Sequence, residues 1–159
     1  MDPLLKLLKD DARLSTAELA SLLQKPQQEI EEAINRYQTS NIILGYKTVI
    51  NEEKLDLDNV RAVIEVKITP EREGGFDRVA QRISKYREVT SCFLMSGSYD
   101  LLVITEGSNL HQVASFVSEK LATIQGVLST ATHFMLKPYK EQGILMTREI
   151  EDSRLPVTP

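Results

Sequence analysis

The sequence predicts an α+β fold in two parts, a three-helix (winged) helix-turn-helix followed by a βαββαβ ferredoxin-like α/β sandwich. Two amphipathic helical patterns between residues 13 and 46 are separated by a turn of about three residues, as in helix-turn-helix units. All seven glycines lie at or after Gly45. The first 44 residues therefore contain no glycine, which favours an all-helical block. Beyond residue 60 the apolar residues alternate with a period of two, which is typical of strands.

The first two helices are marked by their capping residues. Asp2 and Pro3 offer a cap and a first turn for a helix that carries Leu4, Leu5, Leu7 and Leu8. Ser15 and Glu18 have the spacing of a capping box, which predicts the start of the second helix. We expect that helix to end by Gln24, and its apolar stripe consists of Leu19, Leu22 and Leu23.

The third helix is predicted to start at Pro26, whose fixed φ suits a first helical position. Its apolar residues repeat at i, i+3, i+4 and i+7, namely Ile30, Ala33, Ile34 and Tyr37. Residues 41–46 then predict a closing hairpin, the wing of the unit. The three small helices are expected to share one core.

Alternation of apolar residues predicts four strands in the second part, over residues 62–68, 89–95, 101–105 and 127–136. Pro70 is expected to end the first strand. A helical pattern after Gly75 carries Phe76, Val79, Ala80 and Ile83. A second one, capped by Ser108 or Asn109, carries Leu110, Val113, Ala114, Val117 and Leu121. The turn at residues 96–98 predicts that two strands pair as an antiparallel hairpin.

The composition shifts divide the chain into four segments. Residues 1–50 form the helix-turn-helix domain, and the charged, weakly patterned residues 51–59 form a linker. Residues 60–142 form the βαββαβ domain, and residues 143–159 form a C-terminal tail.

Composition excludes several classes of protein. The chain has 159 residues and one cysteine, Cys92, which excludes an internal disulfide framework and a cysteine-clustered metal site. We expect no metal and no cofactor, since no ligand spacing or phosphate loop occurs. The sequence has neither a membrane span nor a signal-peptide pattern, so we expect a cytoplasmic protein that does not contact a membrane. The net charge of −4 means that any DNA binding must come from local basic residues.

The predicted sheet has apolar residues on both of its faces. Both alternating sets are apolar in residues 89–95 and in residues 101–105, whereas the two helices of a βαββαβ unit cover one face. We therefore expect a homodimer in which a second copy covers the other face.

Four short motifs together resemble the Lrp/AsnC family of bacterial and archaeal regulators. They are the sequence of residues 41–46 (Asn-Ile-Ile-Leu-Gly-Tyr), Gly75-Phe76-Asp77, Gly97-Ser98-Tyr99-Asp100-Leu101 and Thr130-Ala131-Thr132-His133-Phe134. The resemblance covers residues 4 to 143. It implies a transcription regulator with a head that binds double-stranded DNA and an effector domain, the RAM domain, within residues 60–142. It also implies dimers that assemble to an octamer, with a small effector such as an amino acid bound between dimers.

The candidate DNA-binding residues lie on and beside the third helix. Gln28, Glu31, Glu32 and Asn35 lie opposite its apolar stripe, with Gln27 at the leading edge. Glutamine and asparagine can bond adenine bidentately, and glutamate can accept from the cytosine amino group. The expected phosphate partners are Lys25, Arg36 and Lys47. An ordinary solvated helix face remains the alternative interpretation.

The net charge of the first 50 residues limits the affinity of one head for DNA. Residues 1–50 contain six cations and seven anions, a net charge of −1. We therefore expect weak binding by one head and stronger binding by several heads in an oligomer.

The candidate effector residues follow from matching positions with the family. Gly97, Tyr99 and Asp100 correspond to the family's glycine-x-aspartate loop, while Thr130 and Thr132 lie on one face of the last strand. A carboxylate such as Asp100 can receive an amino group, and hydroxyl and loop N–H groups can receive a carboxylate. Ordinary turn and strand chemistry is the alternative for all five.

Two other functions remain open at the level of sequence. The acidic third helix is compatible with an oligomeric ligand sensor that has lost DNA binding. The two-domain plan also resembles the siroheme decarboxylases. Their tetrapyrrole substrate carries many carboxylates, which would need histidines and arginines, but this chain has only two histidines, His111 and His133, and few suitable arginines. We expect a regulator rather than an enzyme.

Overall fold

The computed structural model describes residues 1–55, 57–69 and 75–146. The chain divides between Val49 and Ile50 into two compact units, each of which has its own core. None of the described helices has the length and apolar content that crossing a membrane requires. The predicted strand end at Pro70 and most of the predicted tail lie outside the described residues.

The first unit consists of three helices, α1 (Pro3–Asp10), α2 (Thr16–Leu23) and α3 (Gln27–Thr39). The Asp2 carboxylate caps α1 by accepting from the Leu4 N–H at 2.7 Å. Ser15 and Glu18 form the predicted capping box at the start of α2. Gln24 ends that helix in the left-handed region with a φ of 53°, and Pro26 immediately precedes α3. The three predicted helices are confirmed, except that Pro26 is the N-cap of α3 and not its first helical residue.

The core of this unit is formed by Leu4, Leu8, Leu19, Ala20 and Ile30. One residue of the predicted stripe of α2 was wrong, because Leu22 is 59% exposed while Ala20 is 8% exposed. At about 100° per residue, Leu19, Ala20 and Leu23 share one arc of the helix, and Leu22 lies outside it. The packing of α2 against the other two helices therefore buries the side that carries Ala20 and leaves the side that carries Leu22 exposed.

The expected hairpin after α3 is a second correction, since the described residues 40–50 contain no strand. Asn41 has a φ of 57°, and the N–H groups of Ile42 and Ile43 both donate to the Tyr37 carbonyl. This geometry is a helix C-terminal cap. A strand also needs a partner for its N–H and C=O groups, and the all-helical first unit offers no strand edge.

The second unit contains the predicted βαββαβ order. Its elements are β1 (Val60–Ile68), α4 (Asp77–Ser84), β2 (Val89–Leu94), β3 (Leu101–Gly107), α5 (Leu110–Ser115) and β4 (Val127–Phe134). A π-helical turn, Phe116–Leu121, continues α5. The four strands pair antiparallel in the order β2-β3-β1-β4, the arrangement of a ferredoxin-like sheet. Asn109 caps α5 by accepting from the Gln112 N–H at 2.8 Å.

One face of the sheet carries the core of this unit. Ile64 and Val66 of β1 and Leu101 and Val103 of β3 are fully buried. They cluster with apolar residues of the helical elements, namely Val79, Ile83, Phe116 and Leu121. Thr105 of β3 is also buried, at 1% exposure, and its hydroxyl has no hydrogen-bond partner among the described residues.

The opposite face of the sheet, which we call the open face, is partly apolar. It carries Val63, Phe93, Leu102 and Ile104, since Val63 pairs with Ile104 and Phe93 pairs with Leu102. Phe93 is 50% exposed. The predicted apolar character on both alternating sets of these strands is therefore present in the folded chain.

Short elements extend the second unit at both ends. A 3-10 turn, Glu52–Lys54, precedes β1, and a small hairpin of β5 (Lys140–Glu141) and β6 (Ile144–Leu145) follows β4. The Asn51 side chain donates to the Met146 carbonyl at 2.9 Å. Residues that the sequence suggested as linker and tail thus lie against the second unit.

Candidate functional site

All seven candidate DNA-binding side chains lie on the surface of the first unit. They are Lys25, Gln27, Gln28, Glu31, Asn35, Arg36 and Lys47. Ile30 is 2% exposed, so it fixes the rotation of α3 about its axis. The polar side of α3 consequently faces solvent.

A hydrogen-bonded triad joins the first turns of α2 and α3. The Gln27 Nε2 atom donates to Glu31 Oε1 at 2.8 Å and to Thr16 Oγ1 at 3.0 Å. The Thr16 hydroxyl donates to Glu31 Oε1 at 3.2 Å. Sequence reasoning missed Thr16, and its place as the first residue of α2 in a helix-turn-helix was the only signal that could have indicated it.

Further pairs occupy the same turns of α3. The Gln28 amide nitrogen donates to Glu32 Oε1 at 3.1 Å. The Lys25 ammonium group forms an ion pair with Glu29, and this hydrogen bond raises the pKa of Lys25. Lys25, a predicted phosphate partner, is therefore already paired in the absence of DNA.

The other two candidate cations are differently placed. Within the part of the chain that the structure describes, Arg36 and Lys47 form no ion pair. Their exposed positive charges remain available to an anionic partner such as a phosphate.

A second tie anchors α3 to the start of α1. The interaction between the Tyr37 hydroxyl and the Asp2 carboxylate lowers the pKa of Asp2 and raises the pKa of Tyr37. The same carboxylate caps α1. The orientation of α3 is thus set by the core and by polar contacts at both neighbouring helices.

The structure brings two of the candidate effector residues to the same end of β1. The Asp100 N–H donates to the Val66 carbonyl at 3.0 Å, and Thr130 pairs with Val66 from the other side. Thr132 pairs with Ile64 on the same face of β4. Neighbouring strands are about 5 Å apart, so Asp100 and Thr130, which flank β1 from opposite sides, are separated by two strand spacings, about 10 Å.

The remaining candidate effector residues, Gly97 and Tyr99, lie in the loop between β2 and β3. Gly97 is exposed, and a Cβ at this position would meet no other atom. Tyr99 is half-buried. The loop therefore has room for a ligand beside Asp100.

Asp100 also has a structural contact that the sequence did not indicate. Its Oδ2 atom accepts from the Ile68 N–H at 2.8 Å, where the pairing of β1 with β4 shifts register between Lys67 and Ile68. The carboxylate thus satisfies a backbone N–H at an irregularity of the sheet. Its other oxygen can still accept from a ligand.

A cavity of about 190 Å³ lies elsewhere in the second unit, beside the 3-10 turn and the segment after β4. Arg61 reaches Glu106 and Glu141, each at 3.1 Å, and Glu52 at 3.9 Å. The charged lining residues are Glu52, Glu53, Glu141 and Arg61, three anions and one cation, a net charge of −2. This cavity disfavours a ligand carboxylate, and none of the candidate effector residues lines it.

The described residues offer little to metal or thiol chemistry. Across residues 1–55, 57–69 and 75–146, no group of three His, Cys, Asp or Glu side chains is arranged to hold a metal ion. Cys92 is half-buried beside the core, and desolvation raises the pKa of its thiol. The thiol is therefore a packed side chain.

Comparison with known proteins identifies the family. A family model, the Lrp/AsnC ligand binding domain, matches residues 61–145. The HTH-type transcriptional regulator YugG of Bacillus subtilis is 40% identical over 98% of this chain and 95% of its own length. The chain belongs to the Lrp/AsnC family.

Other Lrp/AsnC relatives agree with this assignment. The proline dehydrogenase transcriptional activator of Rhizobium radiobacter is 27% identical over 89% of this chain and 90% of its own length. A solved transcriptional regulator from Neisseria meningitidis, in complex with L-methionine, has a TM-score of 0.69 and 23% identity. That match covers 89% of this chain and 93% of the solved one, and it shows the shared fold.

The family assignment selects among the functions that the sequence left open. Because the relatives are named transcriptional regulators, this Lrp/AsnC chain is a transcriptional regulator with a ligand-binding domain and is not an enzyme. Regulators of this family bind DNA and small effectors and form oligomers. The siroheme decarboxylase alternative is therefore set aside.

Proposed function

We propose that this regulator binds double-stranded DNA through α3 and that a small effector, an amino acid, controls its activity from a site between subunits. The observation that carries the proposal is the α2–α3 unit. A left-handed turn at Gln24 joins two helices whose apolar residues are buried together, and the polar side of α3 faces outwards. This is the arrangement that places a second helix in the major groove.

In this proposal the candidate residues of the first unit divide into two roles. Arg36, Lys47 and, after exchange of its partner, Lys25 contact phosphates and supply affinity. The base edges are contacted by Gln27, Gln28, Glu31 and Asn35. Because residues 1–50 have a net charge of −1, useful affinity requires several heads on one DNA.

The second unit supplies those additional heads by forming a homodimer. A second copy placed on the open face would bury Val63, Phe93, Leu102 and Ile104 against their equivalents. Removing such apolar area from water contributes about 25 cal/mol per Å². Further assembly of dimers to an octamer completes the proposed regulator, as the family resemblance implies.

The proposed effector site lies at the end of β1. The carboxylate of Asp100 takes the ammonium group of an amino acid, while Thr130, Thr132 and N–H groups of the loop with Gly97 and Tyr99 take its carboxylate. The Neisseria meningitidis regulator was solved with L-methionine, which supports an amino acid as the effector class. A cytoplasmic location belongs to the same proposal, since its DNA partner lies there.

The test is a DNA-binding assay on the full chain with and without each amino acid. Fluorescence anisotropy with the DNA upstream of its own gene should show saturable binding, and one or more amino acids should shift the midpoint. Asp100→Asn should weaken the response to the amino acid and leave binding of the unliganded protein unchanged. Saturable binding of an amino acid without any binding of DNA would favour the second candidate, a sensor that has lost DNA binding, which the acidic α3 helix supports.

A further inference from the structure

The hydrogen bonds of α3 fix which polar atoms its first turns offer to DNA. A carboxylate only accepts hydrogen bonds, so the Gln27 atom that lies 2.8 Å from Glu31 Oε1 must be the amide nitrogen. The same nitrogen donates to Thr16 Oγ1 at 3.0 Å. Its two hydrogens are therefore both engaged, and only the carbonyl oxygen of Gln27 remains for another partner.

The neighbouring side chains also present more hydrogen-bond acceptors than donors. Gln28 donates to Glu32 at 3.1 Å, which leaves its carbonyl oxygen and one N–H. Glu31 and Glu32 are both exposed and can only accept. The nearby cation, Lys25, is paired with Glu29. The first turns of α3 thus present mainly acceptor oxygens to solvent.

Bases differ in whether they present hydrogen-bond donors or acceptors in the major groove, so a protein surface of acceptor oxygens does not bind all bases equally. Adenine N6 and cytosine N4 are amino donors, whereas guanine N7 and O6 and thymine O4 are acceptors. Acceptor oxygens placed against the amino groups form hydrogen bonds. The same oxygens placed against guanine or thymine repel their acceptors and remain unpaired, which discriminates against these bases.

We propose that the Thr16–Gln27–Glu31 triad makes the start of α3 a reader of amino bases, adenine or cytosine, on one strand of the operator. The proposal rests on the proposed DNA-binding function and specifies its base preference. Thr16 is the positioning residue, because its hydroxyl occupies the second N–H of Gln27. The bidentate adenine contact, which needs a free donor as well as an acceptor, is unavailable to Gln27 in this arrangement.

The experiment selects duplexes from a random-sequence library with the full-length protein and sequences the bound fraction. The wild-type protein should enrich adenine and cytosine over guanine and thymine by at least about fivefold at one position of each half-site. Thr16→Val keeps the side-chain shape and removes the acceptor, so one N–H of Gln27 turns outwards and this preference should fall to near twofold or less. Glu31→Gln introduces a donor and should admit guanine at that position.

A matched control is Glu29→Gln, the same chemical change two residues earlier on the same helix. It releases Lys25, so affinity should rise for all sequences without a change in base preference. Far-UV circular dichroism of each variant verifies that the helices are retained.

The outcomes separate this inference from the function on which it rests. If the wild-type protein retains no duplex at all, both DNA binding and the inference fail. If it retains duplexes without enriching any sequence, DNA binding holds and the inference fails. If a sequence is enriched but guanine is accepted as well as adenine at every position, DNA binding holds and the inference fails. An unchanged base preference in both Thr16→Val and Glu31→Gln would also overturn it.

Discussion

Replacing Arg36 with alanine should weaken DNA binding by removing a phosphate contact while leaving the fold intact. Arg36 is exposed on the last turn of α3, and the described residues provide it with no ion-pair partner. Alanine has the highest intrinsic helix propensity, so α3 is retained in the variant. The effect of the change should therefore appear in electrostatic affinity.

The size of the effect follows from the number of cations removed per dimer. Each neutralised phosphate contributes about 0.9 to the slope of the logarithm of affinity against the logarithm of salt concentration. The proposed dimer loses two such contacts, so the slope should become shallower by about 1.8. Between 50 and 200 mM salt, the affinity of the wild-type protein should then fall about 12-fold more than that of the variant.

Fluorescence anisotropy with one labelled duplex, measured at several salt concentrations, gives both slopes directly. The matched control is Arg82→Ala on α4, which removes an exposed arginine from the second unit and should leave the slope unchanged. An Arg36→Ala slope equal to that of the wild-type protein would show that Arg36 does not contact phosphate.

Three further predictions concern the second unit. Ile104→Glu on the open face should convert dimers to monomers in sedimentation velocity at micromolar concentration, and a retained dimer would place the interface elsewhere. Thr105→Val should stabilise the protein by about 1 to 2 kcal/mol in urea unfolding, because a buried hydroxyl without a partner is replaced by a methyl group. The control Thr90→Val loses a hydrogen bond to the Ile104 carbonyl and should not stabilise the protein. The hydrogen bond from Lys120 holds the pKa of Glu88 below its ordinary value of 4.5. Because a lowered folded-state pKa gives stability that is present above pH 4.5 and lost as the pH falls further, Glu88→Gln should destabilise the protein at pH 7 but much less at pH 3.

Local signals in the sequence predicted most of the secondary structure. The capping box of Ser15 and Glu18, the turn at Gln24 and the cap at Asn109 are each contained within a few residues, and each was confirmed. The alternation that predicted β1 is also local, because every second residue of a half-buried strand faces the core. Such features depend little on distant parts of the chain.

The errors arose where a distant part of the chain decides the outcome. The exposure of Leu22 and the burial of Ala20 depend on how α2 packs against α1 and α3, which the helical period alone leaves open. The predicted hairpin in residues 41–46 required a strand partner that the first unit does not provide.

In the candidate sites, too, the sequence predicted the position of individual residues but not their contacts with distant parts of the chain. Position matching placed Asp100 in an effector loop, but its hydrogen bond to the Ile68 N–H depends on a register shift in β1. Likewise, the sequence indicated that Gln27 and Glu31 share a helix face. The contribution of Thr16 from another helix became visible only with the α2–α3 geometry.

The acidic residues of α3 have opposite effects on affinity and on specificity. Glu31 and Glu32 repel phosphates, and this lowers binding to every sequence alike. The same carboxylates, together with the carbonyl oxygen of Gln27, penalise contact with guanine and thymine, so the binding that remains depends more strongly on sequence. A single head of this kind would bind weakly, whereas several heads held by the second unit would recover affinity by multivalency. Oligomerisation and an acidic recognition helix are therefore expected together, and the dimer-breaking variant Ile104→Glu should lose specific binding more completely than Arg36→Ala.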